Sequence, residues 1–184
     1  KSENNLENLS FIYTLIKKFK ISDRIFFSSL KNFKGLPHRQ ELFFKRKKVY
    51  FINDSKATGF EAAKSCLKKY RNILWILGGL KKDGDKFFLN PVKKNIIKAF
   101  IIGKKRNFFK RQLKGKLNFK ETVSLKDSLK PIFQEINSLN KKKMNETIFV
   151  ILSPATASYD QFKNFEERGN QFKNLIKKYA KKYI

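Results

Sequence analysis

Two short runs of this chain gather carboxylate, cation and hydroxyl groups in one place. Residues 53–58 read NDSKAT, and residues 152–169 read LSPATASYDQFKNFEERG. In the first run, Asp54 can bind a ribose hydroxyl or a metal ion. Lys56 can face a phosphate or a carboxylate, and Ser55 and Thr58 add hydroxyls. A helix starting just beyond would offer free N–H groups and the positive end of its dipole to an anion. Capping by Asp54 or Ser55 explains one of these residues but not the whole run. In the second run, Ser153, Thr156, Ser158 and Tyr159 can donate hydrogen bonds, and the small residues around them let a backbone come close to a ligand. The competing reading is an ordered loop closed by its own hydrogen bonds. A third run, LGGLKKDGD at 77–85, pairs two glycines suited to a tight turn with Lys82, which can point at a substrate carboxylate. By spacing alone it reads more readily as a basic loop. His38, the only histidine, reads as structural; its neighbour Arg39 suits a phosphate contact.

These runs need a scaffold that brings them to one edge. A parallel sheet does so, because it places ligand loops at the carboxyl ends of its strands. Strand candidates run at 41–44 and 48–52 around a basic turn, then at 73–77, 99–102, 117–119 and 147–152. Helical periodicity appears between them: Phe60, Ala63, Leu67 and Tyr70; residues 104–113; and residues 124–139 with Leu125, Leu129, Ile132, Phe133 and Ile136 inward. Asn90 and Pro91 open a short helix, Pro131 kinks the 124–139 helix or shifts its start, and residues 171–184 form the last helix. Strands alternating with helices predict an α/β, Rossmann-like, mostly parallel sheet covered on both faces. Two helices precede it. Residues 5–20 carry Leu6, Leu9, Ile12, Leu15, Ile16 and Phe19 on one face, and a second helix capped by Ser22 or Asp23 carries Ile25, Phe26, Leu30 and Phe33. Gly35-Leu36-Pro37 ends it and marks a boundary between domains 1–34 and 35–184.

Composition narrows the classes. Hydrophobic residues make up 41% of the chain, enough for a core. One Cys excludes an internal disulfide, and one His with one Cys cannot build the usual zinc site. No apolar run is long enough to span a membrane. The 43 basic against 15 acidic residues give a net charge of +28, which suits anionic substrates and nucleotides. The lysines are spread along the chain rather than striped among aromatics, so a single-strand nucleic-acid groove is disfavoured. No GxxxxGK[ST] or GxGxxG run occurs, so a phosphate site here needs another domain to complete it.

GLPHR at 35–39, FINDSKAT at 51–58, LGG followed by Lys82, and the 152–169 run together resemble the Mur ligase family, in its D-glutamate-adding branch. NNLEN at 4–8 resembles that family's HNxxN segment. The resemblance implies three domains in the whole protein: one for a UDP-sugar, a central ATPase and a Rossmann-like C-terminal domain. Residues 1–34 would be the last helices of the ATPase domain and residues 35–184 the C-terminal, amino-acid-binding domain. The chain would then be an incomplete and by itself inactive piece. The phosphate loop, the Mg²⁺ ligands and the carbamylated lysine would lie outside it, leaving no metal ligand here. By the same resemblance Asn5, Asn8, Arg39, Asp54 and Lys56 would bind ATP. Thr58, Lys82, Ser158, Tyr159 and Phe165 would bind D-glutamate. The other substrate would be UDP-N-acetylmuramoyl-L-alanine. The expected setting is the cytoplasm, as a monomer, with no membrane and no specific nucleic acid as partner. Gly59, Asn4 and Thr156 depart from the family pattern, which usually has Asn, His and Cys there. Two alternatives stand beside this reading: a related ligase with another acceptor, of another Mur or a folylpolyglutamate type, and a basic nucleic-acid-binding module.

Overall fold

The computed structural model describes residues 3–81, 87–141 and 146–183. The chain divides into two compact units, Lys1–Leu36 and Pro37–Ile184. The first unit holds helices α1 (Glu3–Lys18) and α2 (Asp23–Asn32). α1 ends in a paired-bond cap: Ile21 N–H reaches the Ile16 carbonyl at 2.9 Å and Lys20 N–H the Lys17 carbonyl at 3.0 Å. Lys20 takes the left-handed conformation, φ 56°, that this cap requires. Ser22 occupies the N-cap of α2 but makes no side-chain capping bond. The apolar stripes expected on these helices exist but are not covered. Ile12, Leu15, Phe19 and Ile25 are exposed, and α2 buries none of its residues.

In the second unit, β1 (Glu41–Arg46) and β2 (Val49–Asn53) form an antiparallel hairpin. A register shift between Leu42 and Phe44 lets the consecutive Phe43 and Phe44 both pack on the same core. β2, β3 (Ile73–Gly78), β4 (Ile96–Ile102), β5 (Phe119–Glu121) and β6 (Ile148–Leu152) run parallel, in the order β1-β2-β6-β3-β4-β5. The sheet is therefore α/β and Rossmann-like. Period-two alternation feeds a core on each face. Leu74, Ile76, Phe100, Val150 and Leu152 point to one face, and Ile73, Trp75, Leu77, Ile101 and Ile151 to the other. Helices α5 (Leu125–Lys141) and α6 (Phe165–Tyr183) cover the first face; α3 (Phe60–Lys69) and α4 (Arg106–Leu113) cover the second.

Several boundaries differ from the sequence expectation. α6 begins at Phe165, six residues before the expected start at 171, because the Asn164 and Glu167 side chains take up two backbone N–H groups at its start. Asn164 Oδ1 accepts the Glu167 N–H at 2.8 Å, and Glu167 Oε2 accepts the Lys163 N–H at 2.6 Å. β5 starts at Phe119 rather than 117, since the Leu117 N–H is still bonded to Leu113 at the end of α4. β4 starts at Ile96 rather than 99, and the helix expected at Asn90 is only a 3₁₀ turn, Lys93–Asn95. Pro131 lies inside α5 without moving its start. Ser124 and Asp127 cap that start, with Ser124 Oγ donating to Asp127 at 2.7 Å and accepting its N–H at 3.2 Å.

Candidate functional site

β2 and β6 are neighbours, yet the chain after β2 enters α3 on one face while the chain after β6 enters α6 on the other. Adjacent parallel strands whose connections leave in opposite directions open a crevice at their carboxyl ends. NDSKAT forms one lip of it and the 153–164 loop the other. Asp54 N–H donates to the Leu152 carbonyl at 2.8 Å, which joins the two lips.

Asp54 is buried. Its carboxylate accepts from Ser153 Oγ at 2.7 Å and from the Gln40 N–H at 3.1 Å. Burial pushes its carboxyl up to about 6, against the opposing hydrogen bonds from Ser153, Gln40 and Cys66 and the charge of Arg39. Lys56 is half-buried, with its ammonium 3.8 Å from the centroid of the Phe165 ring. That contact ties a residue expected on the ATP side to one expected on the glutamate side. Thr58 and Phe165 are half-buried, Ser158 is buried, and Tyr159 and Arg39 are exposed. Three non-glycine residues of the crevice hold positive φ: His38 at 63°, Gln40 at 47° and Ala155 at 59°. Such conformations persist only where the surroundings enforce them.

Under the crevice runs a network that composition and spacing did not reveal. Arg168 is 1% exposed. It donates to Ser55 Oγ at 2.9 Å, to the Ser55 carbonyl at 2.8 Å and to the Thr156 carbonyl at 3.1 and 3.2 Å. Ser55 Oγ in turn donates to the Phe165 carbonyl at 2.8 Å. The guanidinium thus fastens both lips to α6 using neutral acceptors alone. Burial lowers its pKa to about 10, which leaves it charged at neutral pH. Trp75 Nε1 holds the Ser153 carbonyl at 2.7 Å.

The glycine pair serves close backbone packing within the protein. Gly78 (φ 131°) lies against the Ile102 carbonyl and Gly79 (φ 137°) against the Ala157 carbonyl, each closer than a Cβ would permit. Leu80 and Ala157 then pair through both backbone bonds, at 2.9 and 3.1 Å. The close approach is made by the protein's own loop.

No family model matches the chain. Curated relatives do. The chain is 36% identical over 175 residues to the UDP-N-acetylmuramoylalanine--D-glutamate ligase of Wolbachia sp. subsp. Brugia malayi (strain TRS), covering 95% of this chain and 34% of that protein. It is 37% identical over 169 residues to the enzyme of that name from Wolbachia pipientis wMel (92% and 32% covered), and 36% over 176 residues to that of Rhodospirillum rubrum (94% and 35%). The chain belongs to the Mur ligase family. It spans about a third of the length of the curated relatives it matches.

In this Mur ligase chain, Arg39, Asp54, Lys56 and Thr58 lie on or beside the β2 lip, and Ser158, Tyr159 and Phe165 on the β6 lip and the start of α6. Asn5 and Asn8 belong to α1 in the other unit. Lys82 lies outside the described residues. Gly59, the departure after NDSKAT, is the N-cap of α3 and has no side chain to cap it. Thr156 is buried, its hydroxyl 3.3 Å from the Pro154 carbonyl. Among the described residues, no three His, Cys, Asp or Glu side chains gather as a metal site, and no helix is long and apolar enough to cross a membrane. Arg168 was visible as part of the EERG run but carried no assigned role, because its partners lie 113 and 12 residues away.

Proposed function

We propose that this chain is the C-terminal part of a ligase that adds D-glutamate to UDP-N-acetylmuramoyl-L-alanine, a step in peptidoglycan precursor synthesis. What supports the reading is the crevice between β2 and β6: it is lined by the family's NDSKAT and 152–169 runs, and the curated relatives carry that activity in their names. Residues 1–34 would close the ATPase domain, and residues 35–184 would be the amino-acid-binding domain. Asn5, Asn8, Arg39, Asp54 and Lys56 would serve ATP; Thr58, Lys82, Ser158, Tyr159 and Phe165 would serve D-glutamate. ATP, when bound, supplies the phosphoryl group that turns the sugar-peptide carboxylate into an acyl phosphate. The amine of D-glutamate then forms the amide and phosphate leaves.

The residues here would bind and orient. The acceptor has two carboxylates, which suit a lysine and hydroxyl donors. Asp54 and Lys56 fit a nucleotide's ribose and phosphates. Mg²⁺ would be held outside this chain, and the piece alone would not turn over. Phosphate release by the parent protein tests the reading, with ATP, Mg²⁺, UDP-N-acetylmuramoyl-L-alanine and one acceptor at a time. Release with D-glutamate, and not with L-glutamate, L-lysine or meso-diaminopimelate, is expected. Release only with another acceptor would overturn the pocket assignment; release with none would overturn the ligase reading. In the same assay Lys82→Ala is expected to raise the D-glutamate KM far more than the ATP KM.

A further inference from the structure

Beside the crevice, Glu41 draws donors from three segments. Its Oε2 accepts the His38 N–H at 2.9 Å and Asn53 Nδ2 at 3.0 Å, and its Oε1 lies 3.1 Å from Lys173 Nζ on α6. An ionised carboxylate only accepts. Burial works against its ionised form but is outweighed by the His38 N–H, Lys173 and Asn53, so its carboxyl sits below the usual range.

The consequence passes through Asn53. The atom of Asn53 facing Glu41 has to be the NH₂ group, because Glu41 offers only lone pairs. The other atom faces the Ser55 N–H at 3.2 Å and has to be the oxygen. Both sides of the amide agree, so its orientation is fixed. The same NH₂ group lies 2.9 Å from His38 Nδ1. That nitrogen therefore accepts, and the histidine's proton belongs on Nε2. Gly169 completes the arrangement, since a Cβ there would overlap His38 Nδ1. Burial, and then the charge of Lys173, disfavour the imidazolium.

We propose that Glu41 is a positioning residue. It sets the hydrogen-bond polarity at the base of the crevice, orienting Asn53 and thereby holding His38 as the neutral Nε2–H tautomer. His38 is next to Arg39, and its carbonyl accepts the Lys56 N–H at 3.0 Å. The fixed ring and backbone thus govern where Arg39 and Lys56 are presented. The link to nucleotide binding rests on the ligase reading above; the tautomer does not.

Two measurements test it. Long-range ¹H–¹⁵N NMR of His38, the only histidine, reads the tautomer directly in the 184-residue chain at pH 8. The wild type is expected to show a protonated Nε2 and a bare Nδ1. Glu41→Met is expected to give a mixture of tautomers. Asn53→Asp, which puts an acceptor against Nδ1, is expected to protonate Nδ1 and raise the His38 pKa. Lys173→Met removes a partner of Glu41 without changing the polarity and should leave the tautomer in place. A wild-type Nδ1–H, or a tautomer unchanged in both Glu41→Met and Asn53→Asp, would overturn the proposal. If Glu41→Met does not fold, Asn53→Asp decides alone. In the parent ligase, Glu41→Met is expected to raise the ATP KM about tenfold and the D-glutamate KM less than twofold; equal rises would overturn the link to Arg39 and Lys56. A wild-type parent that does not ligate sinks the ligase reading and leaves the NMR result standing.

Discussion

The two lips of the crevice are held in different ways. NDSKAT rests on buried side chains: Asn53, Asp54 and Ser55 are all buried, and Arg168 braces Ser55 from α6. The outer half of the other lip, residues 157–164, is held by the Leu80–Ala157 backbone pair, by Phe162 packed against the core, and by two partly exposed polar side chains. Asp160 accepts the Lys104 N–H at 2.9 Å, and Gln161 Nε2 donates to the Val123 carbonyl at 2.9 Å. A buried polar network fails as a unit when one member is lost, because the others stay out of water and unpaired. An exposed latch fails locally, because water replaces the lost partner. Substitutions in the first lip should therefore register as stability. Those in the second should register as binding.

The largest effect should come from Arg168→Met. It leaves two carbonyls and a hydroxyl buried beneath the crevice without their donor. With about 1–3 kcal/mol for each unsatisfied group and partial relaxation, the loss should be about 3–5 kcal/mol. Denaturant unfolding of the chain checks it. A loss under about 1 kcal/mol would mean that the network is not the support described.

Asp54→Asn should have the opposite sign. The Asp54 carboxyl is raised to about 6 by burial, from an ordinary 3.8. Below about pH 4 the group is protonated in both folded and unfolded chains and contributes no difference. Between about pH 4 and 6 the unfolded chain releases its proton while the folded one keeps it, so wild-type stability falls as pH rises. Above about pH 6 the folded group ionises too, and the full penalty, about 3 kcal/mol at 1.36 kcal/mol per unit, remains. The neutral amide of the variant carries no such penalty. The variant should match wild type near pH 4 and exceed it by about 1–3 kcal/mol at pH 8, read from unfolding curves across that range. A gap that shrinks with rising pH would contradict the buried carboxylate. A gap that widens as expected would make the wild-type carboxylate a stability cost, of the kind proteins keep for ligand binding.

Gly169→Ala probes the same lip at smaller scale. The added methyl would meet His38 Nδ1 and Asn53 Oδ1. Overpacking of this kind costs about 1–3 kcal/mol. The melting temperature should fall, with the His38 resonances shifting most. An unchanged melting temperature would mean that the ring and the amide can retreat freely.

The same contrast explains what could be read in advance. The parallel sheet was legible because β3 and β6 are near-continuous apolar runs bounded by polar loops, a local pattern. NDSKAT was legible because its residues are consecutive. The start of α6 was missed although Asn164 and Glu167 stand in capping spacing; a loop reading of the polar run hid the cap. Arg168 and Glu41 were not assigned because their meaning is long-range. Arg168 finds Ser55 across 113 residues, and Glu41 finds Lys173 across 132. Nothing in the spacing of a charged residue says that its partners will be neutral carbonyls. Gly78 and Gly79 were read as a tight turn, because a sequence does not show which loop of the same chain will pack against them.

The smallest effect on stability should be the most informative about binding. Asp160→Ala removes one acceptor from the Lys104 N–H at the protein surface, where water can take its place. The cost should be about 1 kcal/mol or less. Yet Asp160 follows Ser158 and Tyr159 directly and pins their loop to the turn after β4, where Gly103 leaves just enough space for its carboxylate. Freeing that pin lets the loop that carries Ser158 and Tyr159 sample other positions. Affinity falls by the fraction of time it does so. On the ligase reading proposed above, the D-glutamate KM of the parent protein should therefore rise severalfold while the melting temperature and the ATP KM barely move. A variant that loses stability but keeps its D-glutamate KM would show the outer lip to be structural after all, and would reverse the division of labour between the two lips.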